Sequence, residues 1–446
     1  MPASANKTRR VAVLADSDTR WKWGALTARR LAGDGLRLDG YLLRGRATPT
    51  PRQLTEVGVR ADALREVSTV EFLRVMDTTT AGDEPYDLLV LALVGGGVQA
   101  VLHGLRQVWP ARTRRPVVVT GYVGVVYEKL ADGLLLRHGA DLVLANSRHD
   151  AERFRAVYEG VGADASAVTE AALPFLGGTP YRGAWAARGG NRPYTVVFAA
   201  QPSVPDTRTD RAYLLDRLIR HARLHPDRQV LLKLRSRVGE HTTHLEELPY
   251  QKLARATDLP PNLHLVHGPM GEVLDGTDLL VTVSSTAALE ALHRHIPTAI
   301  LTDLGVREAL GNHYFTGSGC LASWDQLDAG HLPEPDPRWT ARQGVAADGS
   351  GDTAFAAARA RVDSLLDTPG GLPPLAPWYS LATAPGYLPG ILARHHLAPD
   401  GALLPGTPPA DRAPGPARQL VRRAARGAYR HGVQRIAPVV RRLGEL

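Results

Sequence analysis

Cysteine is almost absent from this 446-residue chain: Cys320 stands alone, so no intramolecular disulfide can form, and no Cys/His cluster has zinc-site spacing. Lysine is scarce as well, 5 residues against 48 arginines. No apolar run approaches the length needed to cross a bilayer. The basic opening MPASANKTRR is followed by a short strand-like run, VAVLA, rather than by a signal-peptide core. These gaps imply a folded, cytoplasmic chain that needs no disulfide frame. A binding face for nucleic acid is excluded by where the charge lies. The formal net charge is +8, yet residues 418–442 hold eight arginines and no acid, which accounts for the whole excess.

What is present is strand–helix alternation over a length that calls for two domains. Apolar runs at VAVLA (11–15), LDGYLL (38–43), YDLLVLALV (86–94), PVVVTGY (116–122) and DLVLANS (141–147) read as buried strands. Helical spacing over 23–31, 98–108 and 148–158 separates most of them. Strands that are apolar throughout imply a parallel sheet covered on both faces. Residues 176–193, rich in Gly, Pro and Arg, read as a linker. Alternation then restarts with strands at 194–200, 229–235, 262–268, 278–284 and 297–302, and helices at 208–224 and 284–295. The expectation is two doubly wound α/β domains facing each other, 10–175 and 194–335, with ligand at the strands' C-terminal ends. A Pro/Gly-rich extension, 336–416, has one helical stretch at 352–366 and is otherwise loop. A basic helix at 417–446, bent at Pro438, closes the chain and would suit peripheral contact with an anionic membrane.

The block DLLVTVSSTAALEALHRH ends a buried strand in Ser284, Ser285 and Thr286 and then starts a helix. Free amides and hydroxyls there suit a pyrophosphate, and Glu290, one turn on, suits a ribose or base; ordinary capping is the competing reading. LLKLRSR sets Lys233 and Arg235 on one side of a strand end, where cations would neutralise a diphosphate. VHGPM offers His267 and Gly268, and FAAQPSVP offers Gln201, at further strand ends. In the first half, LVGGGVQAVLHGL repeats the plan with Gly95, Gly96 and Gly97, whose amides suit a phosphate or a sugar hydroxyl. Tyr122, Glu128, Asp132 and His138 cluster in one short segment after the next strand. The loop LADSDTRWKWG carries Asp16, Asp18, Arg20, Trp21 and Trp23 in place of glycines.

VTVSSTAALEALHRHIPTAI resembles the donor-site strand–helix–strand of GT-B glycosyltransferases, in particular the capsule-polymer, polysialic-acid and glycerophosphate transferases. From LADSDTRWKWG through YLLRGRATPTPRQL to the serine block, roughly residues 10–330, the chain also resembles an uncharacterised actinobacterial family of glycosyltransferase type. The resemblance implies a GT-B enzyme moving a sugar from a nucleotide-activated donor to a cell-surface polysaccharide, glycolipid or small-molecule acceptor. No cofactor or metal is implied. Those transferases often carry Lys-Pro-His-Pro where this chain has Lys233-Leu-Arg-Ser, so Arg235 would stand in. Some place a catalytic acid just before a glycine, as in Asp132-Gly133. In a GT-B arrangement Asp16 or Asp18 would be the base, Arg20 would hold a carboxylate or an anionic acceptor, and Trp21 and Trp23 would stack on sugar. The competing reading has Asp18 or Thr19 capping the helix and the tryptophans in the core. A nucleotide-sugar 2-epimerase or hydrolase and a non-catalytic nucleotide-sugar-binding protein share the same plan.

Overall fold

The computed structural model describes residues 8–33, 35–81, 84–110, 112, 114–126, 130–183, 192–237, 248–345 and 353–404. They form two compact units, the first from the described residues up to 175 together with 353–404, the second from those between 176 and 345. In the first, β1 (Arg9–Ala15), α1 (Asp18–Ala32), β2 (Leu36–Leu43), α2 (Pro51–Val57), β3 (Ala63–Val67), α3 (Thr69–Ala81), β4 (Leu88–Ala92), α4 (Gly95–Val108), β5 (Val117–Gly121), α5 (Leu130–Leu135), β6 (Leu142–Ala145), α6 (Arg148–Gly160) and β7 (Val168–Glu170) follow one another. The seven strands are parallel, in the order β3-β2-β1-β4-β5-β6-β7. The winding direction reverses between β1 and β4, so a crevice opens at their C-terminal ends.

The second unit repeats the plan with β8 (Thr195–Ala199), α7 (Arg208–Leu224), β9 (Gln229–Lys233), α8 (Tyr250–Ala254), β10 (Leu263–Val266), α9 (Met270–Asp275), β11 (Leu279–Thr282), α10 (Ala287–His293), β12 (Thr298–Leu301), β13 (Leu321–Ala322), α11 (Trp324–Asp328) and α12 (Pro337–Arg342). Its six parallel strands run β10-β9-β8-β11-β12-β13 and reverse between β8 and β11. The two doubly wound, Rossmann-like units are those of a GT-B fold. Strands β1, β4, β5 and β8 are buried on every residue from Val11, Leu88, Val117 and Thr195 onward, the burial that a sheet covered on both faces produces.

Helix α1 shows how local sequence sets the packing. Ser17, buried and extended, caps it by accepting the Arg20 amide at 3.4 Å, and Gly33, at φ 72°, ends it. Both Trp21 and Trp23 are 1% exposed. Each fills space left by a glycine on a neighbouring strand. A Cβ at Gly40 would lie 2.6 Å from Trp21 Cη2, and one at Gly121 would lie 2.8 Å from Trp23 Cζ2. The indoles are therefore core residues with no face open to a sugar, which corrects the stacking role expected of them.

The extension beyond residue 353 belongs to the first unit. Composition points to one helix and loop; the chain forms α13 (Ala356–Leu366) near the expected stretch and a second, unexpected helix, α14 (Leu388–Ala393), with turns between them. Yet it is built into the core: Leu375, Leu388, Ile391, Leu392 and Leu397 are buried in the same apolar cluster as Leu91 and Phe154. Arg115, paired with Asp141 at 2.7 Å, donates to Pro373 O at 2.6 Å, and His103 Nε2 donates to Tyr379 O at 3.0 Å. The basic segment 417–446, part of the expected linker (184–191) and Glu128 lie outside the described residues. Among the described residues no helix is long and apolar enough to cross a membrane.

Gly121→Val should destabilise the first unit by about 1–3 kcal/mol, because its Cβ would meet both Trp23 and, at 2.9 Å, the Leu144 carbonyl oxygen. Urea unfolding followed by tryptophan fluorescence measures it; an unchanged midpoint would contradict the packing.

Candidate functional site

In the first unit the reversal point is drawn together by Asp16, immediately after β1. Its Oδ1 accepts from Arg20 Nη1 at 3.0 Å and its Oδ2 from the Val94 amide at 2.9 Å. One carboxylate thus ties the end of β1 to the start of α4, with both oxygens engaged. Val94 is the N-cap of α4 and offers no side-chain cap, so Gly95, Gly96 and Gly97 form an uncapped first turn. Gly95 and Gly96 remain partly exposed. Gly95 is required by its neighbours, since a Cβ there would lie 2.9 Å from Leu136 Cδ1 and 3.4 Å from Arg137 Nη1. Asp18 is the first residue of α1 and accepts from Thr19 Oγ1 at 3.3 Å.

Below that glycine turn lies Arg137, which the sequence does not advertise. Its Nε donates to Gly121 O at 3.0 Å and its Nη1 to Gly133 O at 2.7 Å. The guanidinium stacks 4.0 Å above the Tyr122 ring. Burial lowers its pKa, with Tyr122 and Asp16 opposing that shift and Arg20 adding to it. Arg137 therefore secures the ends of β5 and α5 and leaves positive potential close to Asp16 and Arg20. His138, by contrast, packs edge-on to Tyr158 and Trp378 and serves the core.

Asp132, on α5, is exposed, and its Oδ1 accepts from Tyr379 Oη at 3.3 Å and Tyr387 Oη at 3.2 Å. Both phenols come from the extension. Burial, then Asp132, pushes Tyr379 up to about 12. The extension also brings His395 to this edge: its Nδ1 lies 2.8 Å from Thr69 Oγ1, at the start of α3. Burial and Arg394 lower the His395 pKa, and Asp16 is near enough to oppose them.

In the second unit the C-terminal ends of β8 and β11 are bracketed by two side chains. The Ser284 amide donates to Gln201 Oε1 at 3.0 Å, and Gln201 Nε2 donates to Ser284 Oγ at 3.2 Å. Ser284 Oγ also donates to Leu310 O at 2.5 Å, so this hydroxyl serves the protein. Ser285 and Thr286, half-buried, come next, and Ser285 Oγ accepts from the Ala287 amide at 3.2 Å. Glu290 is buried on α10. At the neighbouring strand end Lys233 is buried and donates to Leu234 O at 2.8 Å, with half-buried Arg235 two residues on. His267 and Gly268 follow β10, and Gly268 takes φ 112°, which demands glycine. The structure thus brings Gln201, Lys233, Arg235, His267, Gly268 and Ser284–Thr286 to one edge of one sheet. Buried Arg211 supports that edge from below: its Nη1 donates to Gln201 O, Pro202 O and Pro205 O at 3.1–3.2 Å, above the Tyr250 ring at 4.3 Å.

A cation could in principle be sought at His221, His225 and Asp328, whose ligand atoms lie within 4.8 Å of one another. The surroundings argue against it. Asp328 accepts from His221 Nδ1 at 2.7 Å and from Arg217 Nη2 at 3.1 Å, and Arg228 Nη1 lies 3.4 Å from His221 Nε2. Guanidinium groups already neutralise this carboxylate. His225 follows the C-terminus of α7, away from the strand ends that gather the other candidates.

The family model described as "Putative glycosyltransferase (DUF6716)" matches residues 11–364. Among solved structures, a UDP-glucosyltransferase from Polygonum tinctorium is similar at 12% identity and TM-score 0.50, over 81% of this chain and 100% of that one. A UDP-N-acetylglucosamine 2-epimerase from Rickettsia bellii is similar at 11% identity and TM-score 0.50, over 81% and 99%. At such identities the likeness is one of fold. No curated protein matches the chain significantly.

Two outcomes test this geometry. Arg137→Met should cost about 2–4 kcal/mol in chemical unfolding, since it strands the Gly121 and Gly133 carbonyls; a neutral substitution would contradict the clamp. Asp150, 2% exposed on α6, has its pKa pushed up by burial to about 6 from 3.8. Its charged form is therefore disfavoured in the fold, a penalty fully present above pH 6 and relieved as pH falls towards 4. Asp150→Asn should stabilise the protein by roughly 2–3 kcal/mol at pH 8 and by progressively less as pH falls from about 6 towards 4. A pH-independent difference in melting temperature would refute this.

Proposed function

The chain belongs to that glycosyltransferase family, and from this premise we propose that it transfers a sugar from a nucleotide-activated donor to a hydroxyl acceptor. The observation that carries the reading is the second unit's strand edge. There the Gln201–Ser284 bracket holds the reversal point in shape while Ser285, Thr286, Lys233 and Arg235 supply hydroxyls and positive charge. A nucleoside diphosphate has the complementary chemistry: fixed hydroxyl donors and cations stabilise the charge that develops on it as the sugar departs. Lys233 and Arg235 perform that neutralisation, so the proposed transfer is metal-independent. His267 and Gly268 border the nucleotide, and Glu290 reaches its ribose or base side. Ser284 and Gln201 act by positioning.

The first unit receives the acceptor at its own reversal point. The uncapped Gly95–Gly97 turn presents amides there, and Arg20 and Arg137 supply positive potential. Such an edge suits an acceptor bearing hydroxyls and an anionic group, such as a charged glycan, a phosphate-linked lipid or a small acid.

Incubation with UDP-, GDP- and CMP-sugars, with and without acceptors, tests the reading through nucleotide release. Release that requires an acceptor supports transfer. Release or C2 inversion without one would favour an epimerase or hydrolase, and binding without turnover a sensor. Ser285→Ala and Lys233→Ala should each weaken nucleotide binding about 10- to 100-fold. Unchanged Kd values for both would remove the donor from this edge.

A further inference from the structure

The carboxylates that the sequence offers as the base are engaged in the folded chain. Asp16 accepts from Arg20 through one oxygen and from the Val94 amide through the other. Asp132 accepts from two tyrosines, and Asp18 from Thr19. His395 presents a different arrangement at the same edge. It arrives on the turn after α14, from the far end of the chain, and Leu392 and Leu397 on either side of it are buried in the core. Its Nδ1 is fixed 2.8 Å from Thr69 Oγ1, while Nε2 has no hydrogen-bond partner among the described residues. Thr69 is buried at the start of α3, on the C-terminal side of the sheet, and α14 lies against the glycine turn, with Ile391 Cγ2 3.8 Å from the Cβ position of Gly96.

We propose that His395, held through Nδ1 by Thr69, is the base that deprotonates the acceptor hydroxyl. This rests on the reading of the chain as a glycosyltransferase and identifies a catalytic residue that the sequence pattern does not reveal. The tautomer that donates Nδ1–H to Thr69 Oγ1 leaves the lone pair on Nε2. As the acceptor oxygen bonds to the sugar's anomeric carbon, Nε2 takes the hydroxyl proton. The bond from that carbon to the diphosphate oxygen breaks, and its electron pair leaves with the nucleotide. The imidazolium then returns its proton to solvent.

The charged and titratable groups acting on the ring are consistent with this. Arg394 and His396 beside it add to burial in disfavouring the imidazolium, and Asp16, after β1, favours it. The net direction is downward from 6.5, which favours the neutral ring whose Nε2 can accept a proton. Asp16 would then stabilise the imidazolium formed in the transition state.

The test uses the full chain with the donor and acceptor selected by nucleotide release among UDP-, GDP- and CMP-sugars. His395→Gln should lower kcat by about 10²- to 10⁴-fold while leaving donor Kd unchanged. The wild-type kcat/KM should fall on acidification through a pKa below about 6.5, and that limb should vanish in the variant. Thr69→Val should lower kcat less and shift the limb. Should His395→Gln prove poorly folded, added imidazole should restore turnover to His395→Ala, which a purely structural role would not allow. A His395→Gln enzyme that keeps its kcat and acid limb overturns the proposal and leaves the transferase reading intact. A wild-type chain that neither binds nor turns over any donor overturns both.

Discussion

A guanidinium buried under backbone carbonyls and stacked on a tyrosine ring is the interaction on which both candidate edges depend. Arg137 over Tyr122 gathers Gly121 and Gly133 in the first unit, and Arg211 over Tyr250 gathers Gln201, Pro202 and Pro205 in the second. Parallel strands end in loops whose carbonyls point towards solvent, and a loop that must hold ligand groups in register needs its own carbonyls fixed. Arginine supplies several donors in one planar group, and the aromatic face partly replaces lost hydration. A lysine ammonium also has three donors, but it is a compact point charge without the planar face that stacks on the tyrosine ring, which gives the choice of residue a physical reason.

The sheets themselves were legible because strands covered on both faces must be apolar along their whole length. Runs such as VAVLA and DLLVTVS announce themselves for that reason. Strand β3, ALREV, did not, since three of its five residues are exposed and only the edge pairing defines it. The extension was misleading for a related reason. Its anchors, Leu375, Leu388, Ile391, Leu392 and Leu397, are scattered among prolines and turns and follow no period, although each is buried. Composition sees loop there; packing sees part of the core.

Strand-end positions were legible in the sequence, and the roles of the side chains there were not. Strand-end residues gathered where a parallel sheet requires, so Asp16, the glycine turn and the serine block all lie at reversal points. Sequence could not tell which side chains are spent on holding the backbone. Asp16 and Ser284 have strong hydrogen-bonding partners within the protein, and Trp21 and Trp23 fill the gaps opposite Gly40 and Gly121. Arg137 and His395 escaped notice because nothing local marks them. His395 takes its significance from Thr69, far away in the chain, and Arg137 from nearby backbone carbonyls that no sequence pattern marks.

On this account the donor lies at the second unit's strand edge and the acceptor's chemistry at the first unit's. Amide hydrogen exchange, measured with and without the nucleotide-sugar that binds, tests that division of labour most directly. The account predicts donor-dependent protection at residues 199–203, 233–236 and 283–288, with smaller changes at 94–98. Protection confined to 94–98, or to segments away from both strand edges, would contradict it.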